Sequence, residues 1–150
     1  MNHTPDGAAG GHFAHRKRQE STFSLAEAPP ERILTLLEAM EQRLDWAREI
    51  VAEGEEAFNR PANWRSRESL KSISMDLNTA ADRFPERVRE QYPDIPWRAL
   101  RGLRNILAHD YTSTRYDILW NTAKRDLPRV RSQLAALRAD IEGQPTGRDD

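Results

Sequence analysis

The chain of 150 residues contains no cysteine. That excludes a disulfide framework and a thiolate metal site, and it points to a reducing, cytoplasmic setting. No apolar run approaches the roughly 20 residues of a membrane-spanning helix, and the start lacks the apolar stretch of a secretory signal. The alternation that marks a half-buried strand is missing, as is any internal repeat. Carboxylates and histidines do not cluster at ligand spacing, so neither a two-metal site nor any other cofactor is expected. Histidine itself is scarce. Three of the four, His3, His12 and His15, stand in the first 28 residues, which leaves His109 as the one imidazole beyond them.

What is present is charge, and it is unevenly spread. The formal net charge is −1. From Arg83 to Arg138 there are twelve basic against six acidic residues, a net of +6, so the remainder carries −7. Positive charge gathered on one half of a chain favours a polyanionic partner, although a solvated surface in an arginine-rich protein accounts for it equally well.

Residues 1–28, rich in Gly, Ala and His, show no sustained apolar period and read as a disordered tail. From Pro29 and Pro30 a helical stripe begins, carried by Ile33, Leu34, Leu37, Met40, Leu44, Ala47 and Val51. Gly54 and the run NRPAN (59–63) predict a loop. Leu70, Ile73, Leu77, Ala80, Ala81 and Phe84 mark a second helix, and PERVREQYPDIP (85–96) a short one followed by a turn. WRALRGLRNILAHDY (97–111) predicts a third long helix, with Trp97, Leu100, Leu103, Leu107 and Ala108 inward. Thr114, with Asp117 three residues on, resembles a capping box for a last helix that runs to about Glu142 and is bent by Pro128. The expected architecture is an all-α antiparallel bundle of four long helices and one short helix within 29–142, with a frayed end at 143–150.

RNILAHDY (104–111) sets an arginine, an asparagine, a histidine and a tyrosine into an otherwise apolar helix. Asn105 and His109, four apart, share a helix face, and Arg101 and Arg98 extend it backwards. Arg104 lies about 140° from His109 on a straight helix, so its long side chain must curl round or the helix must end nearby. Tyr111 falls where the helix stops. A lone histidine at a helix C-terminus is usually structural, because positive charge is favourable there. Beside several arginines it acquires another use. Imidazole moves protons near neutral pH, and guanidinium holds phosphate and stabilises charge developing on it. Together they suit metal-free RNA cleavage by a ribose 2′-hydroxyl.

The octet resembles the R-x4-H-x-Y motif of the HepT toxins, a branch of the HEPN ribonuclease superfamily. The likeness extends through ERVREQYPDIPWRALRGLRNILAHDY and DILWNTAKRDLPRVRSQL, including the Tyr-Pro-x-Ile-Pro-Trp run and the Leu-Pro kink. It covers roughly residues 31–141 and is strongest over 83–134. It implies an all-α homodimer with metal-independent endoribonuclease activity. It also implies an antitoxin partner, an MntA-type nucleotidyltransferase that adds AMP to the motif tyrosine. Arg104 and His109 would be catalytic, Asn105 would assist and Tyr111 would be modified; Arg101 and Arg98, one and two turns before the Asn105–His109 face, are expected from that geometry to meet RNA phosphates. In one place the chain departs from the family. Thr79, within LNTAA (77–81), stands where many relatives carry a glutamate. The competing reading is a non-catalytic helical module that binds a nucleotidyltransferase partner or nucleic acid without cutting it.

Overall fold

The computed structural model describes residues 29–107 and 113–143, apart from the side chains of Ile106, Ser113 and Thr114. Both expected tails lie outside them except for Gly143. The first helix, α1 (Pro30–Ala52), starts where the sequence predicts. Pro29 stays extended, and Pro30 takes a first-turn position, where a missing N–H costs nothing. Its inner face buries Ile33, Leu37, Met40, Leu44 and Ala47, whereas Leu34 and Val51 pack half-buried at the edge of the core. Gly54 ends the run with φ 95°, a left-handed turn that only glycine makes without strain, and its N–H donates to the Val51 carbonyl at 3.0 Å.

After Gly54 the expected loop is instead wound. A five-residue helix, α2 (Glu55–Asn59), leads into a single 3₁₀ turn (Pro61–Asn63). Phe58 explains why. It is 1% exposed, and its ring centroid lies 5.1 Å from that of Trp120. Arg67 donates to the carbonyls of Phe58 and Arg60, both at 2.7 Å, and so satisfies groups that a helix this short leaves open.

The second long helix, α3 (Trp64–Arg83), buries Leu70, Ile73, Leu77, Ala80 and Ala81. It stops at Phe84, which is extended because Pro85 follows. A short helix, α4 (Glu86–Gln91), and a turn then lead into α5 (Trp97–Leu107). Trp97 anchors that entry: its indole N–H donates to the Tyr92 carbonyl at 2.9 Å, and its ring packs on Phe84. The end of the predicted third helix, residues 108–111, lies outside the described residues.

The predicted last helix is present in three parts: α6 (Ser113–Asn121), a π-helical turn (Thr122–Asp126) and α7 (Leu127–Glu142). The proposed Thr114 cap rests on a side chain that is not described. Pro128 sits in the first turn of α7. Its ring would collide with the carbonyl four residues back, and the wider turn relieves that clash, with the Leu127 N–H reaching five residues back to Thr122.

Among the described residues the architecture is all-α, with no strand. α3 lies between α1 and α5, and α7 packs along α1. The α1–α7 seam is tied by Glu41, which receives Arg131 at 2.7 Å and Arg138 at 2.6 Å. Each buried Leu, Ile or Phe in this core contributes about 1.5–3 kcal/mol relative to exposure.

Candidate functional site

α5 is sharply two-sided. Trp97, Leu100, Leu103 and Leu107 are buried, while Arg98, Arg101, Arg104 and Asn105 are exposed. Four anchored side chains over eleven residues fix the helix against α3, so the polar residues on its outer side are held on a rigid support. Among the described residues the side chains of Arg98, Arg104 and Asn105 have neither a hydrogen bond nor an ion pair.

Arg101 is different. Its guanidinium pairs with Asp82 of α3, with both side chains about half exposed. Such a pair is worth about 0–1 kcal/mol, so a phosphate could displace the carboxylate. His109, Asp110 and Tyr111 lie outside the described residues. The structure therefore brings Arg98, Arg101, Arg104 and Asn105 onto one exposed helix side, and the remaining two predicted site residues follow them only in sequence.

Two second-helix positions bear on the site. Thr79 is exposed, and its hydroxyl donates to the Met75 carbonyl of its own helix at 3.0 Å. Its neighbour Asn78 went unnoticed in the sequence, yet it is 2% exposed and its amide nitrogen donates to the Leu100 carbonyl at 3.1 Å and to the Arg101 carbonyl. A signal was available. Leu70, Ser74, Asn78 and Asp82 form one row at four-residue spacing, so two polar residues sit on the buried side of α3 and a third at its edge.

Chemically, the exposed side of α5 offers guanidinium groups for bidentate contact with phosphate and an amide that can donate or accept. The sequence profile described as Ribonuclease HepT-like matches residues 35–137, more than two-thirds of the chain. The chain belongs to the HepT-like ribonuclease family.

Relatives of this HepT-like chain carry similar names. A protein of Methanocaldococcus jannaschii named as a candidate RNase is 35% identical over 68 residues, 45% of this chain and 56% of the relative. A second from the same organism, also a candidate RNase, is 41% identical over 46 residues, 31% of this chain and 42% of the relative. The Thermococcus cleftensis protein named "Probable ribonuclease HepT" is 31% identical over 62 residues, 41% of this chain and 56% of the relative. The chain thus spans about half the length of the relatives it matches. No solved structure matches it. Among the described residues of the HepT-like fold, no helix is long and apolar enough to cross a membrane.

Proposed function

We propose that this chain is the metal-independent endoribonuclease toxin of a toxin–antitoxin pair, acting in the cytoplasm. A ribose 2′-hydroxyl attacks the adjacent phosphorus, the new O–P bond closes a cyclic phosphate, and the bond to the 5′-oxygen breaks. His109 transfers the proton, Arg104 clamps the phosphate and balances the charge that builds on it, and Asn105 assists. Arg98 and Arg101 hold neighbouring phosphates of the strand. One observation carries the reading: Arg104 and Asn105 stand exposed, with no partner among the described residues, at the end of a helix anchored by four buried side chains.

Tyr111, two residues beyond His109, is the point of control. Transfer of AMP to its hydroxyl by an MntA-type nucleotidyltransferase antitoxin would bring a phosphate beside Arg104 and fill the clamp meant for RNA. The test of activity is direct. Purified protein incubated with RNA in EDTA should produce fragments ending in a cyclic phosphate. A folded protein that binds RNA or a nucleotidyltransferase but never cuts would support the competing reading, a non-catalytic module, which the exposed Thr79 in place of a glutamate favours. Mass spectrometry after co-expression with the nucleotidyltransferase should find AMP on Tyr111. An inactive complex with unmodified Tyr111 would mean inhibition by binding alone.

A further inference from the structure

Asn78 is a buried amide in a helix interior, a position that usually goes to an apolar residue because an unpaired polar group there is costly. Its hydrogen bonds do not stay within α3. The side-chain nitrogen crosses to the main chain of α5, to the carbonyls of Leu100 and Arg101. In an α-helix those two carbonyls also accept the N–H groups four residues on, which belong to Arg104 and Asn105. Each carbonyl has two lone pairs and the amide has two hydrogens, so both sets of bonds can be made together. We infer that Asn78 is a positioning residue for Arg104 and Asn105, fixing the stretch of α5 backbone from which both project.

The surroundings agree. Ala81, one turn further along α3, is fully buried and small, and small buried side chains let packed helices approach closely. Asp82, four residues after Asn78 on the same row, takes the Arg101 side chain. α3 therefore grips α5 twice, by main chain at 100–101 and by side chain at 101. The two grips differ in kind. The Asp82 contact is half exposed and can yield to a phosphate, whereas the Asn78 contact is made by a buried side chain and holds the helix when Arg101 leaves.

The inference rests on the ribonuclease reading only for what Arg104 and Asn105 do, and two measurements keep the two apart. Amide hydrogen exchange of the full chain is compared for wild type, Asn78→Leu, which fills the space without donors, and Asn78→Ala, which adds no bulk should the leucine variant not fold. The N–H groups of Arg104 and Asn105 should exchange about tenfold faster in the variants, relative to amides of α1 in the same sample, because local opening is governed by local bonds. RNA cleavage should show kcat lowered about tenfold or more with KM within a factor of two, the pattern of misplaced groups rather than lost binding. Unchanged relative exchange at those two amides in a folded variant overturns the inference. A wild-type protein that cleaves no RNA removes the ribonuclease reading, and the exchange comparison still decides what Asn78 does.

Discussion

At the scale of single residues, the exposed side of α5 holds cations with different histories. Arg98 has no partner among the described residues, while Arg101 must first leave Asp82. Neutralising both should weaken RNA binding irrespective of sequence and flatten the plot of log affinity against log salt by about 1.4, since each phosphate contact on a single strand contributes about 0.7. An unchanged slope would mean that both are merely solvated. Asp82→Asn should act the other way, tightening binding a few-fold at most, because an exposed pair of this kind is worth about 0–1 kcal/mol. Arg104→Ala and His109→Ala test the chemistry. Loss of the proton-transfer group should lower the rate about 10²- to 10⁴-fold, and loss of the clamp about 10²- to 10³-fold. The Arg104→Ala variant should keep the wild-type melting curve, since Arg104 is exposed and its side chain has no polar partner among the described residues. Full activity in a well-folded His109→Ala protein would end the proposed mechanism.

Between elements, the turn before α5 is tied to α7 twice: the Tyr92 hydroxyl donates to Asp140 at 2.7 Å, and the Gln133 amide donates to the Asp94 carbonyl at 2.6 Å. Burial, then the hydrogen bond and negative charge of Asp140, push the Tyr92 pKa well above its ordinary value of 10.0. The folded chain therefore holds that proton more tightly than the unfolded one. The resulting stability is complete below about pH 10 and is lost as pH climbs from there towards the folded value. Denaturation midpoints taken between about pH 8 and pH 11.5 should fall more steeply for wild type than for Tyr92→Phe; parallel curves would show that the phenol carries no such linkage. Most elements were legible in the sequence because long helices repeat their buried positions. The stripes of α1, α3 and α5 mark the core, and prolines at 30, 85 and 128 mark boundaries or strain. α2 was not legible, since five residues are too few for a period and flanking Gly and Pro mask them. Pro128 announced a bend but not its form, because whether a helix kinks or widens depends on what packs beside it. Asn78 escaped notice for a related reason: its partners are main-chain carbonyls, which any residue supplies.

Across the whole molecule, the imbalance that bears on the proposed cleavage is one imidazole against two proton transfers. A base must take the 2′-hydroxyl proton and an acid must protonate the departing 5′-oxygen, and one chain beyond its first 28 residues offers only His109. A two-fold homodimer would resolve the shortage, since an isologous interface brings the same patch of both subunits together. The arginines exposed on α5 would then be doubled in one cleft and would attract a polyanion. The tryptophans that flank the motif, Trp97 and Trp120, belong to the core rather than to such an interface. They are 7% and 3% exposed, committed to Phe84 and Phe58 within the fold. Among the described residues the large apolar side chains left exposed are Trp46, Trp64 and Ile118, and Ile118 belongs to α6, the helix that follows the motif. The activity of wild-type chains mixed with His109→Ala chains should fall as the square of the wild-type fraction, because a mixed dimer keeps one imidazole where the reaction needs two. A site composed from both chains predicts that loss only when the two proteins co-elute as a dimer, whereas independent sites predict a fall in simple proportion to the wild-type fraction. A monomer that cuts RNA unaided would refute it, and would require the second proton to be handled by another group, with Asp110 or Tyr111 the first to mutate.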